Sequence, residues 1–121
     1  MAAFAIDHVQ IAIPAGGEAE GRRFFGELLG LEEIAKPDDM AGRGGCWFAI
    51  DAQQLHLGVD ADFRAAKKAH IGLATSNLGS LRERLSRAGI ETADGVAVAG
   101  RERFFTHDPF GNRIEFIEAG R

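Results

Sequence analysis

A chain of 121 residues is long enough for one real hydrophobic core and too short for two large independent domains. With 45% hydrophobic and 26% charged residues it has the balance of a folded globular protein, not of a disordered tail. Its 14 Lys and Arg against 18 Asp and Glu leave a net charge of -4, which speaks against a nucleic-acid surface. No apolar run approaches the length of a membrane span, and the first residues lack the basic stretch and apolar core of a secretory leader. A cytoplasmic protein is expected. The single cysteine, Cys46, excludes an intramolecular disulfide and fits a reducing compartment.

In chain order, a period of two predicts a strand over residues 6–13, with Val9, Ile11 and Ile13 on one face and His8, Gln10 and Ala12 on the other. Pro14, Gly16 and Gly17 end it. Residues 18–29 change to a helical period, with Phe24 and Phe25 as core contacts and Gly30 closing the helix. An extended piece over 31–34 leads into a glycine-rich loop or hairpin over 36–45. Strands follow over 46–50 and 55–59, separated by a turn over 51–54. The order is β, α, β, β, β.

Residues 60–69 read as a linker, and then the order recurs. A strand is expected over 69–74, a helix over 78–88 closed by Gly89, an extended piece over 90–92, and strands over 101–106 and 114–117. The basic stretches at 64–68 and 82–87 read as solvated faces. Asp108-Pro109-Phe110-Gly111-Asn112 is a tight turn: Pro presets φ, Gly accepts positive φ, and Asp and Asn bond nearby backbone. His107, just before it, reads as a turn cap or a solvent-facing residue.

The halves align by eye. His8-Val9-Gln10-Ile11-Ala12 parallels His70-Ile71-Gly72-Leu73-Ala74, Leu55-His56-Leu57 parallels Ile114-Glu115-Phe116, and Trp47-Phe48 parallels Phe104-Phe105. A period near 60 residues indicates a duplicated supersecondary unit. The expected fold is α+β, with two βαβββ modules, residues 1–60 and 61–121. If the two sheets curl toward each other, their apolar faces pack on the helices outside and the opposite faces line a cavity.

His8, His56, His70 and Glu115 each sit on a strand at equivalent places in the repeat, the last three between apolar neighbours and His8 between Asp7 and Val9. One strand histidine is usually a core residue bonded to a carbonyl; four such positions together suggest one divalent ion. Three imidazoles and a carboxylate suit Zn, Ni, Fe, Mn or Co, with room for water or substrate.

These segments, with Phe24-Phe25-Gly26-Glu27-Leu28-Leu29-Gly30-Leu31 and Asp108 to Phe116, resemble the vicinal oxygen chelate superfamily over essentially the whole chain. That superfamily includes glyoxalase I, extradiol dioxygenases, methylmalonyl-CoA epimerase, fosfomycin-modifying transferases and metal-free bleomycin-resistance proteins. The resemblance implies modules curled into half-barrel sheets, and a homodimer in which His8, His70 and Glu115 take the two-histidine-one-carboxylate positions. His56 falls where glyoxalase I carries a glutamate that is both ligand and base, which departs from that enzyme.

The resemblance also places Arg103 and Phe105 on the cavity side, where an arginine would bind a substrate carboxylate or phosphonate; a surface charge paired with Glu102 or Glu118 is the alternative. Phe48, beside Trp47, is expected to line the cavity, and Arg43 to contact substrate from the glycine-rich loop or simply to face solvent. The function implied is a metal-dependent isomerase or lyase of glyoxalase type acting on a small oxygenated anion, with His56 and Glu115 moving the proton. Alternatives are a metal-free sequestering protein of the bleomycin-binding type, an extradiol-type dioxygenase and an antibiotic-modifying transferase.

Overall fold

Alternating apolar residues can be buried only if something covers one face of each sheet, and here a helix does so in each repeat. The computed structural model describes residues 3–120. The chain divides into two units, Met1–Arg64 and Ala65–Arg121, each built on one open, curled four-stranded sheet. No helix among the described residues is long and apolar enough to cross a membrane.

The first unit contains β1 (His8–Ile13), helix α1, β2 (Glu32–Ile34), a 3-10 helix (Asp38–Arg43), β3 (Cys46–Ile50) and β4 (Gln53–Val59). The sheet order is β1-β4-β3-β2, with β1 parallel to β4 and the other pairs antiparallel. Helix α1 starts as an α-helix over Glu18–Gly21 and continues as a π-helix over Arg22–Leu28. Leu29 N–H reaches Phe24 O, five residues back, at 3.0 Å. The wider turn lets consecutive Phe24 and Phe25 both bury, and Phe25 meets Phe48 at a ring separation of 6.2 Å. Gly30, at φ 78°, ends the helix as expected.

The second unit repeats this order: β5 (His70–Thr75), α2 (Leu78–Arg87), β6 (Ala93–Asp94), β7 (Arg103–His107) and β8 (Arg113–Glu118). Its sheet is β5-β8-β7-β6, again with the outer pair β5 and β8 parallel. Leu81 and Leu85 of α2, Phe104 of β7 and Ile114 and Phe116 of β8 are buried. The predicted turn forms: Asp108 Oδ1 accepts from Phe110 N–H at 2.9 Å and Asn112 N–H at 2.8 Å, and Gly111 has φ 91°. It sets the register in which His107 faces Arg113 and Phe105 faces Glu115.

Four local expectations need correction. The glycine-rich loop contains a 3-10 helix that starts after Pro37, whose fixed φ suits a helix entry. The turn at 51–54 is shorter, because Asp51 takes φ 49°, so Gln53 and Gln54 join β4. Strand β7 covers Arg103–His107 where 101–106 was expected; His107 ends it at the turn and is exposed, in keeping with the solvent-facing reading.

The fourth concerns Phe48. Trp47 faces His56 across β3 and β4, and Phe105 faces Glu115 across β7 and β8, so Trp47 corresponds to Phe105 and Cys46 to Phe104. Pairing Trp47-Phe48 with Phe104-Phe105 slips the alignment by one residue, and a one-residue slip in a strand exchanges the two faces. Phe48 is 0% exposed, in the helix-covered core. Phe48→Ala is expected to lower the unfolding free energy by about 3–5 kcal/mol in a urea titration, and a loss below about 1 kcal/mol would contradict this packing.

Candidate functional site

In each unit the face away from the helix carries the polar residues. In the first, the register places His8 opposite Gln54, and Gln10, His56 and Trp47 in one cross-strand row. The His56 ring lies between two others: Trp47 stacks on it at 3.8 Å and 1°, and His8 at 4.4 Å and 16°. His8 Nδ1–H donates to Asp7 Oδ2 at 2.9 Å, so a neutral His8 carries its lone pair on Nε2. His56 Nε2–H donates to Gln54 Oε1 at 2.9 Å. The shortened turn that brought Gln54 into β4 makes this contact possible.

His56 is 5% exposed. Burial pushes its pKa below the ordinary imidazole value, and the neighbouring His8 adds to the effect. A neutral imidazole is the form that ligates a metal or accepts a proton. A cavity of about 450 Å³ opens beside it, lined by His8, Gln10, Trp47 and His56 from the sheet and by Lys36, Met40 and Arg43 from the preceding loop. Arg43 thus lines this cavity from the loop. The loop is tied down at its end: Lys36 Nζ donates to Gly44 O, and Gly45 N–H donates to Glu18 Oε2 at 2.8 Å. The Gly45 contact holds the Glu18 carboxyl below its usual range.

In the second unit, His70 Nδ1–H donates to Lys68 O at 3.0 Å, so a neutral His70 presents a bare lone pair at Nε2. That nitrogen lies 3.0 Å from Glu115 Oε1. Two acceptors at this distance repel unless a cation lies between them, either a proton or a metal ion. Arg103 Nη1 also donates to Glu115 Oε1, at 3.3 Å, and its Nε donates to Val96 O at 2.8 Å. Phe105 meets His70 edge-on at 5.5 Å, with the guanidinium groups of Arg103 and Arg113 at 5.0 and 4.2 Å from its ring centre. Glu115 is 9% exposed, and its Oε2 has no bonding partner among the described residues.

The two clusters thus contain His8 with His56, and His70 with Glu115. Arg43 accompanies the first; Arg103 and Phe105 accompany the second. Among the described residues, no group of three or more His, Cys, Asp or Glu side chains is gathered to hold a metal ion. The side chains of each cluster are nevertheless of metal-ligating type: two imidazoles in the first unit, and an imidazole 3.0 Å from a carboxylate oxygen in the second.

Sequence reasoning missed Gln54, Trp47 as the ring on His56, and Arg113. Gln54 was assigned to a turn; Arg113 was visible only as a residue two before Glu115, hence on the same face. Cys46 is buried and its thiol is pushed up by desolvation, in keeping with a core residue.

The sequence profile of the Glyoxalase/Bleomycin resistance protein/Dioxygenase superfamily matches residues 5–116. Among solved structures, a glyoxalase family protein from Bacillus anthracis is 44% identical with a TM-score of 0.93, over 99% of this chain and 98% of that one. A lactoylglutathione lyase from Agrobacterium tumefaciens shares the fold at 16% identity and a TM-score of 0.72, over 98% of this chain and 96% of its own. So does a genomically encoded fosfomycin resistance protein from Listeria monocytogenes, at 14% identity and a TM-score of 0.75, over 97% and 94%. None of the curated proteins matches the chain in sequence.

The depressed pKa of His56 has a stability consequence with a definite sign. The unfolded imidazole, with its ordinary value of 6.5, binds a proton more readily than the folded one. The contribution is therefore complete above that pH and is lost as pH falls below it. Urea titrations of metal-stripped protein at about pH 7 and about pH 5 are expected to show this loss, and His56→Gln to remove part of it. An unchanged pH slope in the variant would contradict the assignment.

Proposed function

Because the chain belongs to the Glyoxalase/Bleomycin resistance protein/Dioxygenase superfamily, we propose that it is a cytoplasmic, divalent-metal-dependent isomerase or lyase of glyoxalase type. Its substrate is a small oxygenated anion. His8, His56, His70 and Glu115 would hold one ion of the Zn, Ni, Fe, Mn or Co class. The observation that carries this reading is the pairing of His70 Nε2 with Glu115 Oε1 at 3.0 Å, two metal-competent atoms placed close enough to share one cation.

When bound, such an ion supplies Lewis-acid polarisation of a substrate oxygen. The chain's own residues do the rest. His56, kept neutral by burial, would either give its lone pair to the ion or, left uncoordinated, accept a proton, and Gln54, whose amide can present oxygen or nitrogen, fixes which ring nitrogen does so. Glu115 has Oε1 held by Arg103 and His70, leaving Oε2 for proton transfer or ligation. Arg103 thereby orients Glu115. Trp47 and Phe105 form apolar walls that keep water from the reacting atoms.

The reading includes a homodimer that draws the ligand set from two copies. Support comes from apolar side chains left open on the first unit, where Phe4 is 91% and Ile6 62% exposed and Val9 and Val59 are exposed as well. A second reading, sequestration of an aromatic ligand without turnover, draws on the Trp47, His56 and His8 ring stack beside its cavity. Ligand binding that survives chelation and leaves the ligand unchanged would favour it.

Elemental analysis of purified, untagged protein tests the enzyme reading. About one transition-metal ion per chain is expected, with a large loss in each of His8→Ala, His70→Ala and Glu115→Ala. No metal in the wild type, and none taken up on titration, would overturn it. If two copies share the site, mixing His8→Ala with Glu115→Ala protein should restore roughly a quarter of the wild-type metal, through heterodimers with one intact site. No recovery despite demonstrated subunit exchange would exclude the shared arrangement.

A further inference from the structure

Among the described residues, the Arg113 guanidinium stacks on a ring but meets no anion. On the open face of the second sheet, cross-strand neighbours run His70, Arg113, His107 in one row and Gly72, Glu115, Phe105 in the next. Arg113 and Glu115 are two residues apart on β8, about 6.8 Å along the strand. An ion pair between them would be the ordinary outcome.

It does not form. The Arg113 guanidinium lies over the Phe105 ring, 4.2 Å from its centre, and among the described residues it donates no hydrogen bond and makes no ion pair. Glu115 is served instead by His70 at 3.0 Å and Arg103 at 3.3 Å, and Arg103 is tied further to Val96 O at 2.8 Å. The two arginines therefore differ in kind: Arg103 is committed to the protein, whereas Arg113 is not.

A half-buried guanidinium without an anion forfeits strong hydrogen bonds, and stacking on a ring fixes its plane while leaving its N–H edges open. That is the preorganised form for a two-oxygen anion, which a guanidinium binds through parallel N–H donors. His107, exposed in the same row, can add an N–H donor. We propose that Arg113, with His107 beside it, anchors a terminal carboxylate or phosphonate of the substrate, whose oxygenated end reaches the His70 and Glu115 pair. This rests on the reading that the face binds substrate, and it assigns the anion contact to Arg113 and the orientation of Glu115 to Arg103.

The test is calorimetric titration with malonate and with phosphonoacetate, on metal-loaded and on metal-stripped protein, with metal content measured on the same samples. Saturable binding is expected. Arg113→Gln should weaken it roughly tenfold or more, and Arg113→Lys should recover only part, because an ammonium keeps the charge and loses the fork. Lys67→Gln, a surface charge change in the same unit, should leave it unaltered. Preference for malonate would assign a carboxylate, and preference for phosphonoacetate a phosphonate. Affinity in Arg113→Gln within about twofold of wild type, with the variant folded by thermal melt, would overturn the proposal. So would absence of saturable binding to the wild type. Wild type that takes up no metal on titration yet binds malonate through Arg113 would remove the metal reading and keep this one. Full metal content with no effect of Arg113→Gln would do the reverse.

Discussion

Parallel pairing of the first and last strand of each repeat is the constraint on which the rest depends. Residues opposite one another across a ladder share a face, so the register decides which side chains meet. In the first unit His8 pairs with Gln54 and His56 with Gln10; in the second His70 pairs with Arg113 and Glu115 with Gly72. Every one of these residues is thereby turned from the helix-covered core. Gly58 shows how closely the first face is filled, since a Cβ there would lie 2.6 Å from the Gln10 amide.

The two units use one backbone plan for different chemistry. The first builds a stack of rings in which burial keeps an imidazole uncharged, suiting it to lend a lone pair. The second concentrates charge, setting a buried carboxylate against an imidazole and a guanidinium and leaving another guanidinium spread over Phe105. Correspondence by register makes Trp47 the counterpart of Phe105, and Gln54 that of Arg113. An amide at this position can adjust to either tautomer of a histidine, whereas a guanidinium can only donate.

The strand order, the duplication and the placement of His8, His56, His70 and Glu115 were legible because alternation and turn chemistry are local signals. Asp108, Gly111 and Asn112 make the turn their residue types require. What escaped was set by register. Trp47 and Phe48 are adjacent aromatics, and nothing in composition says which of them faces His56; only the pairing of β3 with β4 decides it. Gln54 appeared to belong to a turn until positive φ at Asp51 tightened that turn. The π-helical stretch of α1 was equally hidden, since packing of Phe24 and Phe25 selects it, not intrinsic propensity. That Arg103 bonds Glu115 while Arg113 lies over Phe105 is a matter of side-chain geometry that no sequence pattern carries.

The proposed function turns on one metal ion held by His8, His56, His70 and Glu115. Anomalous-difference crystallography of metal-loaded protein addresses it most directly. The account predicts one strong peak per chain, roughly 2.0–2.2 Å from imidazole nitrogens of His8, His56 and His70 and from a carboxylate oxygen of Glu115. A peak bound elsewhere, or fully loaded crystals in which His70 and Glu115 touch no metal, would contradict it.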